Sequence, residues 1–88
     1  MPYIEQSERE KLIPAILQLS TDLNINGNKK GNLNYAITKL VHLHLEKVGK
    51  KYDTLSDVHG VLQDAAAEFY RLVVAPYEDL KRVSNGEV

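Results

Sequence analysis

Three histidines, a scatter of carboxylates and two clusters of polar and aromatic residues are the side chains of this 88-residue chain that could do chemistry. His42 and His44 stand two apart, and on a helix that spacing turns them about 200° from each other, which prevents shared coordination of a metal within one chain. Cysteine is absent, so thiolate metal sites and disulfides are excluded. His59, beside Gly60, could be nominated with Asp57 or Asp64, but its bland reading is a helix-surface residue at a close crossing. No activated nucleophile, glycine-rich phosphate loop or carboxylate pair has diagnostic spacing. The expectation is a protein without catalytic residues, metal or cofactor.

Two clusters could instead bind. In KKGNLNYAITKL, residues 29 to 40, Asn32 suits the N-cap of a helix, with Gly31 permitting the chain's turn into it. The second asparagine, Asn34, and the adjacent Tyr35 are more polar hardware than a cap requires. With Lys29 and Lys30 and the amides of a helix start they could form an anion site. In EFYR, residues 68 to 71, Glu68 and Arg71 share a helical face, where they could pair or present a guanidinium to a phosphate. Tyr70 lies off the apolar line of Phe69 and Leu72 and could stack on a base or pack on a partner subunit. Ala65 to Ala67 permit close helix packing, within the chain or across a dimer. In APYED, residues 75 to 79, the sequence marks a helix stop, with Tyr77 covering the open end of the core.

The elements that must position these residues are helical. Ser7 with Glu10 has capping-box spacing, and Leu12, Ile13, Ile16 and Leu17 follow at helical intervals, with a kink or a fresh start expected at Pro14. Residues 24 to 32, NINGNKKGN, have turn composition. From Leu33 to Val48 the apolar residues cover more than half a helical wheel, which suits a helix touching neighbours on two sides, and Gly49 ends it. Thr54 with Asp57 repeats the capping logic before the stripe Leu55, Val58, Leu62, Ala65 and Phe69. Pro76 should kink or end that helix. The prediction is an all-α domain over residues 1 to 83, a small bundle of three main helices, with residues 84 to 88 a frayed tail. Tyr3 and Ile4 are expected to tie down the N-terminus.

Composition narrows the class. With 43% hydrophobic and 26% charged residues the chain is globular rather than disordered. A formal charge of −1 argues against DNA or RNA as the main partner. No apolar run approaches a membrane span and the N-terminus lacks a signal-peptide layout, so a cytoplasmic protein is expected. A chain this short, without staples, is expected to complete its core by homo-oligomerisation.

MPYI at residues 1 to 4, GNLNYAIT at 31 to 38 and EFYRLVVAPYED at 68 to 79, together with the spacing in SDVHGVLQDAAAEFYR, resemble a small family of uncharacterised proteins of bacteriophages and prophages. The resemblance covers nearly the whole chain and implies a phage-associated helical protein without an established activity. Two functions from different classes follow. One is an oligomer that sequesters a nucleotide-derived host immune signal without turning it over, through Asn32, Asn34, Tyr35, Glu68, Tyr70, Arg71 and Tyr77. The other is a protein–protein interaction module or inhibitor that docks on a host protein through its aromatic and alanine-rich helix faces.

Overall fold

A computed structural model describes residues 3–87, and they are all-α, with no strand among them. Helix α1 spans Gln6–Asp22, α2 Lys29–Val48 and α3 Tyr52–Phe69; a π-helical turn, Tyr70–Val74, then leads into α4, Ala75–Asn85. The chain forms two compact units, one of Tyr3–Leu55 and one beginning at Ser56. Met1, Pro2 and Val88, which fall in the expected N-terminal anchor and C-terminal tail, lie outside the described residues.

The helices form where the apolar periodicity puts them, but their starts are displaced. Ser7 lies inside α1, which is preceded by Glu5 with no side-chain cap; Arg9 Nε instead donates to the Ile4 carbonyl at 2.7 Å. The proline causes no new start either. α1 continues through Pro14, since a proline in a helix removes one amide donor while the flanking turns keep theirs.

α2 begins earlier than its sequence indicates, because Asn28 rather than Asn32 is the cap. The Asn28 side chain accepts from the Gly31 amide at 3.3 Å. A Cβ on residue 31 would come within 2.6 Å of that side chain, so glycine is needed there for room rather than for an unusual backbone angle. At the far end Gly49 has φ +94, a left-handed value that glycine adopts without steric cost, and its amide bonds to the Leu45 carbonyl at 2.8 Å.

Thr54 is likewise not the cap of α3 but sits in its first turn. Its hydroxyl accepts from the Lys51 amide at 3.0 Å and donates to the Gly49 carbonyl, which knots the turn between α2 and α3. Reaching back from the first turn to an amide ahead of it is half of a capping box with the roles exchanged.

Pro76 neither ends the helix nor breaks it. The Ala75 amide bonds to the Tyr70 carbonyl, five residues back, and the widened turn accommodates a ring that would otherwise press on the carbonyl of Leu72. α4 then runs to Asn85, taking in two residues of the expected tail, and Gly86 ends it. Arg82 Nε lies 3.1 Å from Glu87 Oε1 just beyond the helix.

Little of this apolar surface is covered. Among the described residues Leu45 alone is buried, at 7% exposure, while helical rows such as Leu12, Ile16 and Leu19 or Leu55, Leu62 and Phe69 stand exposed.

Candidate binding surfaces

In the first unit, the end of α1 and the first half of α2 enclose an open groove of about 380 Å³. Leu19, Leu23, Ala36, Leu40 and Leu43 make it apolar, and Asp22, Asn32, Tyr35 and Lys39 supply its polar groups. The groove exists because Asn32 fastens the loop beneath it. Its side-chain amide donates both hydrogens, to the Leu23 carbonyl at 2.8 Å and to Asn26 Oδ1 at 2.7 Å. One side chain thereby satisfies the end of α1 and holds the polar loop against the first turn of α2.

Of the residues singled out in the sequence, Asn32 and Tyr35 therefore meet at one surface. Asn34 does not join them; its Oδ1 accepts from the Thr38 hydroxyl at 3.3 Å along the exposed face of α2. The free amides of a helix start, expected at Asn32 to Tyr35, are not found there. The helix start lies at Lys29, and the Asn32 amide is already bonded to the Asn28 carbonyl at 2.9 Å.

Glu68, Tyr70, Arg71 and Tyr77 belong to the second unit, where each has a local partner. Arg71 pairs with Glu68 at 2.5 Å, one helical turn away. The Tyr70 hydroxyl spans the π-helical turn to donate to Glu78 Oε1 at 2.9 Å. That hydrogen bond, reinforced by the negative charge of Glu78, holds the Tyr70 phenol above its ordinary pKa. Tyr77 covers no core: its ring is exposed, with Lys81 Nζ 5.7 Å from the centroid. Among the described residues no three histidine, aspartate or glutamate side chains are placed to hold a metal ion, and no helix is long and apolar enough to cross a membrane.

Comparison with known proteins adds one positive result, a match over residues 1–88 to the family described as Domain of unknown function (DUF6899). The chain belongs to the DUF6899 family. No curated protein and no solved structure matches it. In this DUF6899 member, sequence reasoning missed Asn26 and Asn28, which fasten and cap, and Lys39, Leu40 and Leu43, which complete the groove with Tyr35. A signal for the groove was present in the row Ala36, Leu40 and Leu43 at three- and four-residue steps, with Lys39 along its edge.

Proposed function

We propose that this DUF6899 chain is a non-enzymatic helical interaction module that binds other protein chains through its apolar helix faces, a second copy first among them. The observation that carries the reading is the contrast in burial: apolar rows at helical spacing on α1, α2 and α3 are exposed, and among the described residues Leu45 alone is buried. Contiguous apolar surface is costly in water and marks sites of association. The chemistry of this reading is binding without turnover.

Sedimentation velocity of the purified full chain over a range of concentrations tests the reading. The expected result is an oligomer, and Leu62→Asp together with Phe69→Asp is expected to shift the population toward a helical monomer. A chain that stays monomeric at every concentration and retains no protein partner from a bacterial lysate would count against it.

A second reading has one observation in its favour. Asn32, Tyr35 and Lys39 border a groove whose volume, about 380 Å³, falls within the range of small-molecule sites. A tyrosine can stack on a base and a lysine can take a phosphate, so the groove suits a nucleotide-derived ligand. With the resemblance to phage and prophage proteins, this supports sequestration of a host immune signal in the bacterial cytoplasm. A thermal-shift screen against cyclic dinucleotides, cyclic oligonucleotides and ADP-ribose-derived signals tests it. Selective stabilisation lost in Tyr35→Ala, with the ligand recovered intact on denaturation, supports sequestration, and no shift from a well-folded protein removes it.

A further inference from the structure

We infer that the groove between α1 and α2 is the seat for α3 of a second copy, in a reciprocal pair where each copy offers its groove and inserts its own α3. The inference deepens the interaction reading and rests on it. Three observations on the molecule select this occupant. The first is shape and polarity: the groove is open and apolar, and α3 carries a helical row, Leu55, Val58, Leu62 and Ala65, of the kind that lies in such grooves. Leu55 and Leu62 are exposed, so the row is available.

The second is charge. Between residues 29 and 51 the chain holds six lysines and the single acid Glu46, whereas from Tyr52 to Glu87 seven acids stand against Arg71, Lys81 and Arg82. The chain is therefore nearly neutral as a whole but strongly divided along its length. On α2, Lys39 lies at the groove, with Leu43 and Lys47 following at four-residue steps. On α3, Asp57, Asp64 and Glu68 recur at intervals of seven and four, which places them on one side of the helix beside the apolar row. Glu68 is already paired with Arg71, which leaves Asp57 and Asp64 as the exposed acids to meet the lysines.

The third is closure. One chain carries both the groove, flanked by the lysines of α2, and the acidic helix, so a second copy supplies the complement of each surface, and a reciprocal exchange is the arrangement that would use both and leave neither open for further addition. Opposed charges at such a contact set partner and register, and Leu40 and Leu43 at the groove supply the apolar area.

Charge reversal tests this with the full chain. In one variant Lys39→Glu is combined with Lys47→Glu, and in the other Asp57→Lys with Asp64→Lys, all at exposed positions. Circular dichroism establishes that both remain helical. Wild type is expected to self-associate and to weaken by about tenfold between low and high salt, since exposed charge pairs are screened. Each variant alone is expected to self-associate at least about tenfold less tightly, and an equimolar mixture of the two to recover the wild-type assembly, because each then meets its opposite. Recovery in the mixture requires contact between copies and cannot arise within one chain. If wild type assembles and both variants assemble equally well, or if two folded variants fail to recover on mixing, the seat is elsewhere while the interaction reading stands. A wild-type chain that is monomeric throughout overturns the seat, and it overturns the interaction reading as well when no protein partner is retained from a bacterial lysate. A nucleotide whose binding needs Tyr35 and leaves the assembly unchanged assigns the groove to a ligand and overturns the seat alone.

Discussion

The turn between α1 and α2 and the passage from α3 into α4 solve related problems in opposite ways. In the first, the helix stops and a polar loop is fastened by side chains, with Asn32 reaching nine residues back to the Leu23 carbonyl. In the second, the helix does not stop; the backbone widens by one residue to admit Pro76, and the exposed Tyr70–Glu78 pair forms a side-chain bond across it. Fastening by donors produces a fixed edge on which a groove can be built. Absorbing a proline preserves a long rod. The difference teaches that the asparagines of the first loop are structural hardware, while the aromatic and charged residues of the second passage decorate a continuous surface.

Substitutions at the two passages separate these roles. The largest effect is expected at Asn32. A residue that merely capped would accept Asn32→Asp, since aspartate caps as well as asparagine, but a residue that donates twice cannot be replaced by an acceptor. Asn32→Asp should therefore destabilise by about 2–3 kcal/mol and Asn32→Ala by about 1–2 kcal/mol in urea unfolding, and an Asn32→Asp chain as stable as wild type would return the residue to the role of a cap. Next comes Thr54. Thr54→Val keeps the shape and removes the hydroxyl, for an expected loss of about 1–2 kcal/mol, whereas Thr54→Ser should lose little; equal losses would point to packing rather than to the hydroxyl knot.

At the second passage the sign should reverse. Pro76→Ala restores an amide donor and removes the ring clash, so the turn should relax to α-helix with a gain of up to about 1 kcal/mol and higher ellipticity at 222 nm. A loss of helix would mean that the π-helical turn has a cause other than the proline. The smallest effect concerns Tyr70. Its phenol is held above the ordinary value by Glu78, so the folded state keeps the proton more tightly than the unfolded chain. That stabilisation is present in full below the unfolded pKa of about 10 and is lost as pH rises through the elevated folded value. Wild type should therefore lose stability across strongly alkaline pH more steeply than Tyr70→Phe, and Glu78→Gln should bring the ultraviolet titration of the tyrosines toward lower pH.

The all-α class was legible in the sequence because three- and four-residue apolar spacing is a local property. So were the region of the first loop and the helix end at Gly49. The exact helix starts were not, for a definite reason: Asn24, Asn26, Asn28 and Asn32 can all cap, and choosing among them depends on where the Leu23 carbonyl comes to rest. The same limit applied at Thr54, whose partners are the carbonyl of Gly49 and the amide of Lys51 rather than those of the helix ahead of it. Within the binding cluster, Asn32 and Tyr35 were identified as surface hardware, but Lys39, Leu40 and Leu43 were read only as parts of a wheel. A groove is made by two helices, and its depth is absent from either one's periodicity.

The π-helical turn at Tyr70–Val74 also says how this chain tolerates changes of length. Such a turn is an α-helix with one residue added, so deleting a single residue there would return the α-helical count and leave both flanking helices in phase. Pro76 would then press on the carbonyl four residues before it, as any interior proline does. The added residue is thus what accommodates the proline: with Pro76 present it relieves the clash of the ring, and with Pro76 replaced it is no longer needed. A one-residue deletion within 70–74 should be poorly tolerated by itself and rescued by Pro76→Ala.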